Sequence, residues 1–233
     1  MTSSFGENDA VQPEDLRSRI PNADDETSSV TLRREAWARV RPAGSVERLQ
    51  APAGGWDAGA EAADRAIDSG AGVLLLLDGA TPGIDARAIA ALYANGDATS
   101  VIPDTGDDLE WMRTCSAVRD AMVTLRPVIG EPAALLAHDP DLAYMVSALL
   151  HAAARRTPVV LAGPLPQIAA MAAQRVASPS AAWVFSALDD DDAAASAARR
   201  RAGITSWATA QWRLRDEGVE TLVRTLVADL DAD

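Results

Sequence analysis

Apolar positions along the chain fall into two patterns. One is the short unbroken run, seen at Gly72-Val73-Leu74-Leu75-Leu76-Leu77, Val159-Val160-Leu161-Ala162 and Ala182-Trp183-Val184-Phe185. Runs of this length without alternation are how strands buried on both faces of a parallel sheet read, and they predict strands at 72–78, 158–162 and 182–186. The other pattern is a helical stripe. Trp111, Cys115, Val118, Met122 and Leu125 share one face of a helix over 110–125, and Leu142, Met145, Val146, Leu149 and Leu150 recur at spacings of three and four. Val219, Leu222, Val223, Leu226, Val227 and Leu230 repeat that spacing near the C-terminus, as expected of amphipathic helices. Further helices are predicted over 57–69, with Ala60, Ala63 and Ile67 inward, from Ile84 to about 94, and around Ile168, Met171 and Val176. Ser100-Val101-Ile102 reads as one more short strand. Strand, loop and helix alternate, which predicts an α/β fold with a doubly wound, mainly parallel sheet, helices on both faces, and ligands at the carboxyl ends of the strands.

The first 55 residues read differently. Residues 1–30 scatter Glu14, Asp15, Asp24, Asp25 and Glu26 among Ser, Thr, Asn and Pro. They offer too little apolar surface to offset the entropy of ordering and are expected to form a disordered acidic tail. Residues 31–55 form an N-terminal segment and linker: a short helix around Trp37 and Val40, a turn at Arg41-Pro42-Ala43-Gly44-Ser45, and the linker Ala51-Pro52-Ala53-Gly54-Gly55. The α/β domain occupies 56–233.

Composition narrows the function classes. The 233 residues carry 34 acids against 21 basic residues, a net charge of -13, which argues against nucleic acid or an anionic membrane as partner. No apolar run reaches the roughly 18 residues of a membrane span, and Met1 to Asp9 has neither the basic nor the apolar stretch of an export signal. A cytoplasmic protein is expected. One cysteine, Cys115, rules out a disulfide framework and a Cys-rich zinc site, so no metal and no cofactor are anticipated. All the basic residues except two histidines are arginine, and alanine is abundant. That resembles the codon bias of a GC-rich genome, so individual Arg and Ala positions carry little information.

Chemistry is sparse. Asp78-Gly79 opens a loop in which Gly83 leads into a helix, and Gly163 follows the second strand run. Bare amides at a helix N-terminus can cradle a phosphate, although neither a Walker pattern nor G-x-G-x-x-G is present, and ordinary turn chemistry is the stronger reading from pattern alone. His138 lies in a Pro-flanked loop and His151 falls off the apolar stripe of its helix, so both read as solvated surface. Cys115 reads as a core thiol. Asp189-Asp190-Asp191-Asp192 reads as an acidic helix N-terminus. Asp216-Glu217, before the last helix, is either a catalytic carboxylate or an acidic cap, and by pattern alone capping is favoured.

The order of segments resembles the nicotinate-nucleotide:dimethylbenzimidazole phosphoribosyltransferases of cobalamin lower-ligand assembly, over roughly residues 32–230. Arg41-Pro42-Ala43-Gly44-Ser45-Val46-Glu47-Arg48-Leu49 is similar to that family's K-P-P-G-S-L-G-R-L. Gly70-Ala71-Gly72-Val73-Leu74-Leu75 stands for its G-A-D-L-L, and Ala152-Ala153-Ala154-Arg155-Arg156-Thr157-Pro158-Val159-Val160-Leu161 for its A-A-A-R-R-V-P-V-L-L. Departures are equally specific. The linker at 51–55 replaces early strands with an A-G-D-H-G motif and part of the benzimidazole pocket. The loop acid-M-G-I-G-N-T-T becomes Asp78-Gly79-Ala80-Thr81-Pro82-Gly83-Ile84-Asp85, which keeps the acid, loses Asn-Thr-Thr and adds Asp85 where phosphate would approach. G-R-G-T-G becomes Ile102-Pro103-Asp104-Thr105-Gly106, and the L-D-G-F strand end becomes Leu161-Ala162-Gly163-Pro164. The A-S-H-x-S-x-E-P-G-H stretch becomes residues 186–195 without either histidine, and L-G-E-G-T-G becomes Leu214-Arg215-Asp216-Glu217-Gly218-Val219.

The resemblance implies a reaction in which a benzimidazole nitrogen attacks the anomeric carbon of nicotinate mononucleotide while a carboxylate takes the nitrogen's proton. Gapless alignment puts Asp216 at that base, one methylene short of glutamate, with Glu217 beside it. General-base catalysis is worth ~10²–10⁴, so this change alone need not abolish turnover; loss of the phosphate loop, the strand-end aspartate and part of the acceptor pocket together is expected to. The implied nucleotide-binding residues are Asp78, Gly79, Gly83, Gly106 and Gly163. The function implied is a relative of cobalamin lower-ligand assembly that is non-catalytic or altered and binds a nicotinate nucleotide or a protein partner. The alternative is an active transferase making α-ribazole phosphate. Family members are homodimers, so a homodimer or a hetero-partner is expected, with nicotinate mononucleotide and a benzimidazole as small-molecule partners.

Overall fold

A run of branched and long aliphatic side chains between two glycine-bearing turns favours an extended, doubly covered strand, and that is what Ala71–Leu77 forms at the centre of the sheet. The structure, a computed structural model, describes residues 45–49, 54–188, 191–204, 206–208 and 216–231. The expected acidic tail and the helix around Trp37 lie outside the described residues. The strands are β1 (Ser45–Leu49), β2 (Ala71–Leu77), β3 (Val159–Ala162), β4 (Val184–Leu188) and β5 (Ser206–Ala208), and the helices are α1 (Gly55–Asp68), α2 (Ile84–Ala94), α3 (Asp108–Leu125), α4 (Pro132–Leu136), α5 (Pro140–Ala154), α6 (Pro164–Val176), α7 (Ala193–Ala202) and α8 (Asp216–Asp231).

The sheet is parallel throughout and its strand order follows the chain, β1-β2-β3-β4-β5, without reversal among the described strands. Val46 pairs with Val73, Leu74 with Val159, Val159 with Val184, and Ser186 with Ser206. With right-handed crossovers, strands added in one direction send their connecting helices to one face. Leu74, Leu76, Val159, Leu161 and Val184 accordingly share one large core with residues of the helices between the strands. The opposite face holds Val46, Val73, Leu75, Leu77, Val160, Ala162, Phe185 and Ala187, and Val219 and Val223 of α8 pack onto it. Helices therefore lie on both faces of a parallel sheet, as expected, with a thick layer on one side and, among the described residues, one helix on the other.

Within the thick layer, α1 and α5 approach closely because Gly59 has no Cβ: one placed there would lie 2.0 Å from the Tyr144 carbonyl oxygen. Helix α5 is buried on nearly every side, from Leu142 through Ala153. Helix α2 is also almost wholly enclosed, from Ala86 to Tyr93.

Several local expectations are corrected. Ser100–Ile102 is not a strand: Ala98–Val101 is a 3-10 turn whose first amides are held by the Asp97 side chain, which accepts from the Ser100 N–H at 3.0 Å. The strand placed at 182–186 starts at Val184, because Ser178–Trp183 forms a 3-10 segment with proline near its start. β1 and β5 were not anticipated. The most consequential correction is His151, placed at the surface by its off-stripe position but buried at 8 % exposure. Its Nδ1 lies 3.2 Å from Asp64 Oδ2 on α1. Beside it Arg155 reaches Asp64 at 3.3 Å and Asp68 at 2.6 Å. Both helices run into the amino ends of β2 and β3, so this clasp sits at the sheet edge opposite the one at which ligands bind.

Candidate functional site

The carboxyl ends of β2 and β3 meet. The Asp78 N–H donates to the Ala162 carbonyl at 3.0 Å, extending the ladder one residue past β2. Directly beyond β3, Gly163 adopts φ +99°, and a Cβ there would fall 1.7 Å from the Asp78 carbonyl oxygen. Only glycine fits this seam. From it the chain turns away through Asp78, whose Oδ1 accepts the Ala80 N–H at 2.8 Å, to Gly83, the N-cap of α2.

The helices that follow β2, β3 and β4 start at this edge, and their first-turn amides differ in what holds them. In α7, Asp192 caps with its own carboxylate, accepting from Ala194 N at 2.8 Å and Ala195 N at 3.1 Å. In α6, Pro164 and Pro166 have no N–H to offer, so Gly163 serves the seam rather than a ligand. In α2, the Gly83 cap has no side chain, and no side-chain cap bond is present. Of the three, α2 therefore keeps the strongest capacity to receive an anion. Asp85 in its first turn works against that capacity by adding negative charge.

One group at this edge escaped sequence reasoning. Arg87, on the second turn of α2, is 3 % exposed. Its Nη2 donates to Asp192 Oδ2 at 2.6 Å and its Nη1 to Asp192 Oδ1 at 3.4 Å, while Nη1 also donates to the Val101 carbonyl. A charged side chain on an otherwise apolar buried helix must be paired, since an unpaired buried charge is very costly. In a chain rich in arginine and alanine, nothing in the sequence singles Arg87 out.

The structure brings Asp78, Gly79 and Gly163 together and connects them through one loop to Gly83. It does not bring Gly106 to the seam by any described contact: its φ is +71°, its N–H goes to Asp104 Oδ1 at 2.9 Å, and a Cβ there would meet nothing within 4 Å. Asp216 and Glu217 open α8 after β5, and residues 209–215 between them lie outside the described residues. Cys115 is half-buried, and burial followed by the nearby Asp97 carboxylate pushes its thiol above the ordinary value, which suits a packing role better than nucleophilic attack. His138 is exposed. Among the described residues no group of three or more His, Cys, Asp or Glu could hold a metal ion, and no helix is long and apolar enough to cross a membrane.

The parallel sheet, with the Gly163 seam at its carboxyl edge and the uncapped N-terminus of α2 beside it, defines an α/β protein whose carboxyl edge is where open parallel sheets generally receive ligands. The family model described as Phosphoribosyltransferase, DBI_PRT, matches residues 42–225, and the chain belongs to that family, the nicotinate-nucleotide:dimethylbenzimidazole phosphoribosyltransferases. The nicotinate-nucleotide–dimethylbenzimidazole phosphoribosyltransferase of Streptomyces avermitilis is 40 % identical over 132 residues, 54 % of this chain and 35 % of that protein. The Mycobacterium tuberculosis protein of the same name is 37 % identical over 131 residues, 54 % of this chain and 36 % of that protein. The crystal structure of CobT from Thermus thermophilus matches with a TM-score of 0.66 at 21 % identity, over 75 % of this chain and 55 % of that one. That likeness establishes the shared fold. The chain spans only about a third of the length of the curated relatives it matches.

Proposed function

We propose that this chain is a nucleotide-binding member of the family, related to cobalamin lower-ligand assembly, in which phosphoribosyl transfer is lost or strongly reduced. The observation that carries the reading is the uncapped N-terminus of α2, fed by a loop that the Gly163 seam holds in place. In this reading Gly79 and Gly83 let the backbone approach the phosphate of nicotinate mononucleotide, Asp78 shapes the loop, Gly163 fixes it to β3, and Gly106 belongs to a neighbouring loop. Asp216, with Glu217 beside it, takes the position of the general base. Reduced transfer is supported by the altered motifs, by Asp85 in the first turn of α2, and by the engagement of Asp78 with its own loop.

The test is calorimetric titration of the full chain with nicotinate mononucleotide, with inorganic phosphate as a control, followed by a product assay with dimethylbenzimidazole. Saturable nucleotide binding is expected, with transfer absent or at least ~10³-fold below a full-length relative, a factor that combines a displaced base with lost electrostatic anchors. Any residual transfer should vanish in Asp216→Ala and largely survive in Glu217→Ala. Absence of nucleotide binding overturns the ligand assignment, and robust transfer overturns the claim of a reduced site. Self-association, or a hetero-partner, is proposed as well, because β1 ends the sheet among the described strands with an open hydrogen-bonding edge that normally needs cover; a clean monomer by light scattering at micromolar concentration would count against it.

A further inference from the structure

We infer that Arg87 is a positioning residue: its forked pairing with Asp192 fixes three loops of the carboxyl edge relative to one another. The three loops reach the same guanidinium from different parts of the chain. Arg87 itself lies one turn into α2, so it moves with the Asp78–Gly83 loop. Val101, whose carbonyl it binds, ends the 3-10 turn that leads into the Gly106 loop. Asp192 ends the connection from β4 and caps α7.

The chemistry of the pair suits that role. Asp192 has one oxygen shared between two helix amides and a distant Arg87 nitrogen, and the other oxygen 2.6 Å from Nη2. A planar fork against a carboxylate fixes distance and orientation together, which an ammonium would not do. The pair is almost dry, with Arg87 3 % and the Asp192 side chain 11 % exposed. Buried ion pairs are a weak source of net stability, but removing one partner is strongly destabilising. Stability and positioning therefore make different predictions for single and double substitutions. The fork also commits both charges to each other, which leaves the α2 amides, rather than Arg87, to meet an anion.

The bearing of this fork on ligand affinity rests on the nucleotide reading above, so the experiment has one readout with ligand and one without. Three variants of the full chain are compared. Asp192→Asn keeps an oxygen for the α7 amides but leaves Arg87 without its counter-charge. Arg87→Lys keeps the charge without the fork. Arg87→Met with Asp192→Asn removes both charges. Thermal midpoint, hydrogen exchange of the segments 79–86, 99–107 and 191–196 without ligand, and the Kd for nicotinate mononucleotide are measured for each. Both single variants should melt earlier, and the double variant should recover most of the lost midpoint. In the double variant exchange in all three segments should remain at least ~10-fold faster than in the wild type, and the Kd at least ~10-fold weaker. Recovery of exchange and Kd together with the midpoint would overturn the inference and leave the pair a structural contact. Unchanged exchange in every variant would overturn it too. If the loops loosen but the wild-type chain does not bind the nucleotide, the ligand assignment fails while the hold of Arg87 on the loops stands.

Discussion

Replacing Gly163 with alanine should damage this protein far more than the gain of one methyl group suggests. Two costs combine. With φ +99° and ψ 170° the residue sits in a region of backbone space that is essentially reserved for glycine, and holding an alanine there costs about 1–3 kcal/mol. The new methyl would also lie 1.7 Å from the Asp78 carbonyl oxygen and 2.6 Å from its carbon. A backbone atom cannot swing aside as a side chain can, so β2 and β3 must part at their carboxyl ends, at roughly the 1–3 kcal/mol typical of overpacking. The sum is about 4 kcal/mol. At about 2–4 °C per kcal/mol for a chain of this size, the melting midpoint should fall by roughly 8–16 °C. Gly106→Ala is the internal control. Its φ is also positive, at +71°, but a Cβ there meets nothing within 4 Å, leaving only the left-handed backbone cost of about 1–2 kcal/mol. Urea midpoints and differential scanning calorimetry on both variants give the comparison. If Gly163→Ala melts no earlier than Gly106→Ala, the strand ends do not touch as described and the seam argument fails.

Gly59→Ala should also destabilise, by about 2 kcal/mol net, because a methyl 2.0 Å from the Tyr144 carbonyl separates α1 from α5 and outweighs the ~1 kcal/mol gain in helix propensity; a more stable variant in urea would refute this. Burial raises the phenols of both tyrosines, Tyr93 from 10.0 to about 12 despite the opposing charge of Arg175. Near-ultraviolet titration should therefore show less tyrosinate at pH 10.0 than two free phenols would give while the fold persists, and the fold should lose stability as pH rises from 10.0 towards 12; ionisation of half the phenols at pH 10.0 in folded protein would contradict the packing. Burial likewise raises the carboxyl of Asp139 above 3.8, although its bond from the Leu142 N–H at 2.9 Å opposes the shift. The fold then favours the neutral acid, so the wild type loses this contribution as pH rises from 3.8 through the raised value. Asp139→Asn, which keeps a capping oxygen, should match the wild type in acid and equal or exceed its melting midpoint at neutral pH; a variant less stable only at neutral pH would show that the charge helps.

What could be read from sequence follows how each element is buried. β2 and β3 are covered on both faces, so they appear as unbroken apolar runs and were placed within a residue of their ends. β1 is an edge strand with only Val46 and Leu49 buried, flanked in the sequence by stretches bearing Pro and Gly, and nothing in its five residues stands out as extended. Val101 and Ile102 are apolar, β-branched and buried, but the Asp97 cap draws the chain into a 3-10 turn that ends at Val101, and only Ile102 is extended. His151 was misplaced because the stripe rule assumes one wet face, whereas α5 is enclosed on nearly all sides. At the candidate site the glycines at the strand ends were legible, since close backbone approach leaves a residue-type signature. The Arg87–Asp192 fork was not: it joins residues 105 positions apart, and in an arginine- and alanine-rich chain neither partner looks unusual by itself.

The lopsided layering has a consequence for the chain as it leaves the ribosome. Each strand pairs with its immediate predecessor, so the sheet can lengthen in the order of synthesis, with one wide interval between β2 and β3 while α2 to α5 are made. The thick helical layer is complete once α7 emerges. Among the described residues, the other face, with Val73, Leu75, Leu77, Val160 and Phe185, has no helix on it until α8 brings Val219 and Val223. A nascent chain or a product truncated before residue 216 would therefore lack the helix that packs on Val73, Leu75 and Val160, leaving apolar sheet surface of the kind that chaperones hold and that aggregates in their absence. Without the sixteen residues of α8, the product is sticky rather than merely shorter.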